Sequence, residues 1–184
     1  MSAKNVKLSL QTLVYLITDG TATPANFEEK SEQIVRLVRA AARWQIPLVQ
    51  IREKNLPARL VFELARRAVA AAKNSQTKIL VNDRADIALA AGADGVQLTA
   101  KSLPTAVVRK NFPNDFLIGV SAHSLEEAAA ARDEAADFAV FSPVFATPSK
   151  AAFGAPQGLE KLRFACEELK PFPVVALGGV DQDN

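Results

Sequence analysis

The chain is poor in the residues that build disulfides and all-protein metal centres. Its 184 residues contain one cysteine and one histidine. The cysteine, Cys166, cannot form an internal disulfide. It follows Leu162 and Ala165 at helical spacing, so we expect it to have a core role. A nucleophilic thiol needs a nearby base, and His123 lies far away in sequence, which argues against thiol catalysis.

The sequence also lacks long apolar runs and an excess of charge of either sign. No run approaches the ~18 to 20 residues that a membrane span requires, and the start MSAKNVKLSL has no cleavage site for a signal peptide. The 22 basic and 20 acidic residues leave a net charge of only +2. We therefore predict a soluble, cytoplasmic protein whose partners are small molecules rather than nucleic acid or a membrane. The sequence leaves homo-oligomer formation open.

Short apolar runs alternate with amphipathic stretches along the whole chain. This alternation is typical of a parallel sheet with crossover helices. With 184 residues, 49% of them hydrophobic, we predict one domain spanning residues 1–184. One helical stripe is formed by Ile34, Leu37, Val38, Ala41 and Ala42. The predicted strands are Leu13 to Thr18, Leu48 to Arg52, Lys78 to Asn82, Gly95 to Leu98, Leu117 to Ser121, Phe138 to Phe141 and Val174 to Leu177.

Seven units of this kind fit either a doubly wound sheet or a barrel. No G-x-G-x-x-G follows the first strand, so the dinucleotide-binding version of the open sheet lacks its main signature. We predict an α/β fold, a (β/α)8 TIM barrel truncated before its eighth strand. Because the sequence stops at Asn184, we expect the natural chain to continue with another βα unit.

Three polar residues share one face of the second strand. In VQIREK, Gln50, Arg52 and Lys54 alternate with Val49 and Ile51. Barrel interiors are normally apolar, so an inward guanidinium and ammonium would require a charged ligand. This row predicts an anion site. In the alternative interpretation, the three residues face solvent on an edge strand.

The third strand ends in Asn82, Asp83 and Arg84, where barrel enzymes build their sites. A carboxylate here could hold Mg²⁺, which in turn would bind phosphate oxygens. Alternatively, Asp83 caps the next helix and pairs with Arg84.

The fifth strand ends with Ser121 and His123 on one face. A strand-end imidazole is a candidate acid or base, although a lone histidine is often only structural. Ser124 and Glu127 form a capping-box pattern that predicts a helix beginning at about Leu125.

A long loop after the sixth strand and a glycine pair after the seventh supply donors for phosphate. Thr147, Ser149 and Lys150 lie in the loop, whose length favours a functional role. Gly178 and Gly179 permit close approach of a ligand to backbone N–H groups. We expect the charges of Arg52, Lys54 and Lys150 to converge on one phosphorylated ligand.

The motifs VYLITD, VQIREK, ILVNDRADIALAAGADGVQL, IGVSAHSLEEA, FSPVFATPSK and VVALGGV resemble, in order and spacing, those of the thiamine phosphate synthase/TenI family. The resemblance covers residues 13–180. It implies a (β/α)8 barrel that joins hydroxymethylpyrimidine diphosphate to a thiazole phosphate and releases diphosphate with the help of magnesium.

The resemblance also assigns roles. It implies that the pyrimidine and its diphosphate contact Gln50, Arg52, Lys54 and Asn82, and that Asp83 binds magnesium. The leaving diphosphate would be bound by Ser121 and Lys150. The thiazole phosphate would be bound by Thr147, Ser149 and the backbone N–H of Gly179.

One position departs from the synthase pattern. Ser102 stands where a second acidic magnesium ligand is expected, in GVQLTAKSL, and Lys101 beside it would repel the ion. Two alternatives therefore remain open. One is a TenI-like, metal-free thiazole tautomerase that uses His123 as acid and base, and the other is a non-catalytic protein that binds thiazole or thiamine phosphate.

Overall fold

The computed structural model describes residues 13–147, 155–182 and 184. The strands in this part of the chain are β1 (Tyr15–Ile17), β2 (Leu48–Ile51), β3 (Lys78–Asn82), β4 (Gly95–Leu98), β5 (Leu117–Ala122), β6 (Phe138–Phe141) and β7 (Val174–Ala176). The helices are α1 (Phe27–Arg43), α2 (Ala58–Ala72), α3 (Ala85–Ala91), α4 (Thr105–Asn111), α5 (Leu125–Asp133) and α6 (Gly158–Glu168), with a short 3-10 turn at Pro24–Asn26.

All seven predicted strands are present among the described residues, and β3, β4 and β6 have the predicted bounds. The first strand is shorter than predicted at both ends and runs from Tyr15 to Ile17. The fifth extends one residue further, to Ala122. These differences of one or two residues are usual at strand ends.

The chain divides into two compact units, and each has its own run of parallel strands. Of the described residues, the first unit comprises 13–97 and 112–117, and the second 98–111, 118–147, 155–182 and 184. In the first unit, β1 pairs with β2, β2 with β3 and β3 with β4, all parallel and in chain order. Parallel neighbours in chain order require the crossover helices that the sequence predicts.

Helices α1 and α2 pack together in the first unit. Helix α1 buries Ile34, Val38 and Ala41, which repeat at helical spacing. Leu37, predicted on the same stripe, is 40% exposed. The prediction for Leu37 was wrong because, at 100° per residue, Leu37 lies at the edge of the stripe that Ile34, Val38 and Ala41 form.

The second unit pairs β5 with β6 and β6 with β7, again in parallel. One face of this sheet packs on helices: Ala122 and Ala139 are buried with Ala128 of α5 and with Leu169, which follows α6. Side chains alternate along a strand, so the neighbours of Ala122 and Ala139 project from the opposite face.

The predicted start of α5 at Leu125 is confirmed. Ser124 Oγ accepts a hydrogen bond from Glu127 N at 3.2 Å. The carboxylate of Glu127, however, accepts from His123 N at 2.6 Å, one residue before the cap that the pattern predicted. This contact fixes the chain at the end of β5.

Cys166 lies on α6, as its spacing predicts, but it is only half-buried. Its neighbours Ala165 and Leu169 are buried in its place. Desolvation raises the pKa of the Cys166 thiol, which keeps it protonated and unreactive near neutral pH.

Within the described residues, no helix is both long enough and apolar enough to cross a membrane.

Candidate active site

The polar face predicted on β2 is inside the first unit, not on its solvent edge. Gln50 is 2% exposed, and its Nε2 donates to Asn82 Oδ1 at 3.1 Å. Strand β2 has β1 on one side and β3 on the other. The edge-strand alternative is therefore excluded for Gln50, and two predicted site residues from different strands are in direct contact.

Arg52 follows β2 and is half-buried. Its backbone N donates to Thr18 Oγ1 at 2.8 Å, which fixes the residue beside the end of β1. Its guanidinium lies against Gly20, where a Cβ would be 3.5 Å from Nη1. No carboxylate among the described residues forms an ion pair with Arg52. A partly desolvated guanidinium without such a partner is suited to an anionic ligand.

Lys54 lies three residues beyond β2 and is exposed. Of the three residues predicted to point inward, Gln50 is buried and Arg52 half-buried, but Lys54 is not buried. The alternation rule fails here because the strand stops at Ile51, and the backbone direction after it is set by a turn.

Glu53 is a buried acidic residue that the sequence analysis missed. It is 4% exposed, and its two carboxylate oxygens accept from Gly20 N at 3.2 Å and Ala22 N at 2.9 Å. These bonds fasten the segment between β1 and α1, which also contacts Arg52. Glu53 stands between Arg52 and Lys54 in a run of three charged residues, and such a run does not indicate that one of them is buried.

We expect Glu53→Gln to lower the free energy of unfolding by about 1–3 kcal/mol. An amide has one acceptor oxygen, so one of the two backbone N–H groups would face an NH₂ donor. Urea denaturation would measure the loss. Glu32→Gln is the matched control, because Glu32 is exposed and meets Arg36 only at 3.7 Å. Equal midpoints for wild type and both variants would contradict a stabilising role for Glu53.

Asp83 is the first residue after β3, and its backbone is in the left-handed region, with φ of 65°. Its backbone N donates to Gln97 O at 2.8 Å. The alternative role for Asp83, capping α3 and pairing with Arg84, is wrong. The N-cap residue is Arg84, without a side-chain cap, and the Arg84 guanidinium binds Asp86 through contacts of 2.9 and 2.6 Å.

Asp86 is consequently committed to Arg84. The guanidinium of Arg84 holds the pKa of the Asp86 carboxyl below its usual value, so the pair is charged and mutually neutralised. The Asp83 carboxylate, in contrast, makes no hydrogen bond to any described residue. Asp83 is therefore the carboxylate at this strand end that is available to a ligand or an ion.

The donor set only partly fits magnesium. In the part of the chain that the structure describes, no group of three His, Cys, Asp or Glu residues could hold a metal. Ser102 Oγ is engaged by Thr99, accepting from its backbone N at 2.8 Å. Magnesium is commonly bound by one or two carboxylates plus substrate phosphates, so Asp83 fits as one ligand but no second acidic ligand is present at Ser102.

Gln97 of β4 has a structural contact within the first unit. It is buried, and its Oε1 accepts from Tyr15 Oη at 3.2 Å. Burial raises the pKa of Tyr15, which keeps the phenol protonated as a donor.

In the second unit, His123 follows β5 and contacts the end of β6. Its Nδ1 lies 2.6 Å from the backbone oxygen of Ser142. A carbonyl oxygen can only accept, so Nδ1 carries the hydrogen. In the neutral ring, Nε2 is then the basic nitrogen. The carbonyl of Ser142, at the end of the neighbouring strand β6, fixes the orientation of the imidazole.

Ser121 precedes the helix-facing Ala122 and therefore projects from the opposite sheet face. The side chains of Ser121 and His123 are both half-buried. That Ser121 and His123 share a face stays a prediction, because His123 lies one residue beyond the end of β5.

The glycine pair after β7 is required by packing. Gly178 and Gly179 have φ of 99° and 66°. A Cβ on Gly178 would lie 2.9 Å from Pro143 Cα, and one on Gly179 would lie 2.7 Å from Ala146 O. The pair therefore holds the segment after β6, which includes Thr147, against the end of β7.

Ser149 and Lys150 lie outside the described residues. The expected convergence of Lys150 with Arg52 and Lys54 therefore stays a prediction. The other predicted residues form two groups: Gln50, Arg52, Lys54, Asn82 and Asp83 in the first unit, and Ser121, His123, Thr147, Gly178 and Gly179 in the second.

Comparison of this chain with known proteins identifies similar sequences and a similar structure. A thiamine-phosphate synthase from Moorella thermoacetica is 40% identical over 150 residues, which cover 82% of this chain and 71% of that protein. One from Anaeromyxobacter dehalogenans is 43% identical over 150 residues, covering 82% and 67%.

A solved structure, described as thiamine phosphate pyrophosphorylase from Pyrococcus furiosus, matches with a TM-score of 0.76 and 35% identity. The match covers 92% of this chain and 76% of that one, and it confirms the predicted fold class. Residues 14–184 match the family described as thiamine monophosphate synthase. The chain therefore belongs to the thiamine monophosphate synthase family.

Proposed function

We propose that this protein is a thiamine phosphate synthase, which couples hydroxymethylpyrimidine diphosphate to a thiazole phosphate and releases diphosphate. The observation that carries the proposal is Arg52, a half-buried guanidinium with no carboxylate partner among the described residues. Such a cation is suited to a diphosphate, whose oxygens can accept two parallel hydrogen bonds from it.

The protein's task in this reaction is to stabilise charge. The bond between the pyrimidine's methylene carbon and the diphosphate oxygen breaks, and the leaving group takes the electron pair. The lone pair of the thiazole nitrogen then forms the new bond to that carbon. Gln50, two residues before Arg52, forms a hydrogen-bonded pair with Asn82. This pair would orient the pyrimidine. Preorganised donors and cations lower the barrier because they meet the negative charge where it develops.

Asp83 would hold Mg²⁺ together with phosphate oxygens of the substrate. When bound, the ion would neutralise charge on the departing diphosphate. With Ser102 in place of a second acid, the protein's share of the ligand set is small, which predicts weak magnesium binding in the absence of substrate.

In the second unit, Ser121 and Lys150 would bind the leaving diphosphate. Thr147, Ser149 and the backbone N–H of Gly179 would bind the thiazole phosphate. The contact of Gly179 with the segment after β6 supports this grouping, because it brings the strand end of Gly179 to the segment that leads to Thr147.

The direct test supplies both substrates, with magnesium and with a chelator. We expect thiamine phosphate and diphosphate to form in equal amounts, and the rate to fall when magnesium is removed. Asp83→Asn should raise the magnesium concentration needed for half-maximal rate, whereas Asp86→Asn should leave it unchanged because Asp86 is held by Arg84. Absence of thiamine phosphate under all conditions would refute the synthase proposal.

A second candidate is a metal-independent thiazole tautomerase. It is favoured by the contact between His123 and Ser142, which leaves Nε2 as the basic nitrogen of an oriented ring. A basic ring nitrogen held in a fixed orientation suits reversible proton transfer. The assay is isomerisation of the thiazole phosphate in chelator, where His123→Ala should abolish turnover. Binding of thiamine phosphate without either reaction would instead indicate a non-catalytic binding protein.

A further inference from the structure

One buried polar group of the second unit has no hydrogen-bond partner among the described residues. Ser142 follows β6 and is 1% exposed. Its Oγ makes no hydrogen bond within the described part of the chain. A buried hydroxyl left unpaired costs free energy, so native structures nearly always satisfy one through protein, water or ligand.

The direction of this hydroxyl follows from the sheet. Phe141 packs toward the helices, against Ala165 and Val144. The ladder continues past it, because Ser142 N donates to Ala122 O at 3.0 Å. Alternation therefore places Ser142 on the face opposite the helices, the same face as Ser121 and the one predicted for His123.

Ser142 also lies between the two groups of proposed ligand residues in its unit. On the β5 side, its backbone oxygen accepts from His123 Nδ1 at 2.6 Å. On the β7 side, its neighbour Pro143 packs on Gly178, and Val144 N donates to Leu177 O at 2.9 Å. The unpaired hydroxyl thus stands in the middle of three consecutive strand ends.

We propose that Ser142 is a substrate-contacting residue, whose hydroxyl makes a hydrogen bond to the phosphorylated heterocycle bound at these strand ends. This proposal rests on the proposed function, since it assumes that a thiazole or thiamine phosphate binds there. A hydroxyl can donate or accept, so it suits either a phosphate oxygen or a ring nitrogen. The ligand would satisfy a hydroxyl that the described part of the chain leaves unpaired.

The variant Ser142→Ala separates this role from a structural one by two measurements. With the ligand-free protein, we expect a melting temperature equal to or above that of wild type, because an unpaired buried hydroxyl is removed. With substrate, we expect kcat/KM for the thiazole phosphate to fall roughly tenfold, the value of one ligand hydrogen bond. The affinity for thiamine phosphate, measured by calorimetry, should fall by a similar factor.

Ser75→Ala is the matched control. Ser75 Oγ donates to Ala72 O at 2.7 Å and accepts from Thr77 N at 3.2 Å, in the turn that precedes β3 of the first unit. This variant should melt at a lower temperature and bind thiamine phosphate as wild type does.

The outcomes distinguish the two proposals. If wild type is active and Ser142→Ala has unchanged kinetics and affinity, the Ser142 proposal is overturned and the synthase proposal stands. If wild type makes no thiamine phosphate but binds it, and Ser142→Ala binds it more weakly, the synthase proposal fails while Ser142 keeps its role. A lowered melting temperature with unchanged affinity would assign Ser142 a purely structural role, and a wild type that neither binds nor reacts would overturn both.

Discussion

Replacing Gly95 by alanine is expected to cost roughly 3 kcal/mol of unfolding free energy, a large share of the ~5–15 kcal/mol of a typical domain. A Cβ on Gly95 would lie 2.1 Å from Leu117 O and 2.7 Å from Leu117 Cβ. The first contact involves backbone, so no side-chain rotation can relieve it. The strand would have to move away from Leu117, whose N also donates to Asp94 O at 2.9 Å. Chemical denaturation of the ligand-free protein measures the effect.

Gly92→Ala is the matched control for Gly95→Ala. Gly92 ends α3 with φ of 73°, and a Cβ there would meet nothing within 4 Å. Gly92→Ala would therefore cost only the strain of placing alanine in a left-handed conformation, about 1 kcal/mol. If the two variants lose the same stability, close strand contact is not what requires glycine at position 95.

Replacing Arg52 by alanine is expected to lower kcat/KM for thiamine phosphate formation by at least about thirtyfold, since a charge-assisted contact to a partly desolvated phosphate contributes roughly 2–5 kcal/mol. Stability should fall little, because the guanidinium has no carboxylate partner among the described residues. The backbone bond from Arg52 N to Thr18 Oγ1 is retained in the variant. Steady-state kinetics with the pyrimidine diphosphate varied would measure the loss.

Two further variants give the Arg52 result its meaning. Arg52→Lys keeps the charge but not the planar fork, so we expect only partial recovery of the rate. Arg39→Ala removes an exposed guanidinium from the outer face of α1 and should leave the rate unchanged. Wild-type kinetics for Arg52→Ala would remove the observation on which the proposed function rests.

The strands and most of the candidate site could be predicted because their signals are local. Apolar runs and the alternation of side chains depend only on neighbours in sequence, so they predict the polar face of β2 that carries Gln50 and the position of Asn82 at the end of β3. The contact of 3.1 Å between these two residues depends on strand pairing and could not be predicted in this way. The capping pattern of Ser124 and Glu127 likewise located the start of α5.

The sequence by itself thus determined the strand positions, the family motifs and the face that each strand residue occupies. Only the tertiary structure decided which polar groups are paired: Glu53 with the backbone after β1, Arg84 with Asp86, and Ser142 Oγ with no described partner. These outcomes depend on where the backbone turns after a strand ends and on which distant segment it meets there. Alternation stops at the strand end, so no local pattern carries that information.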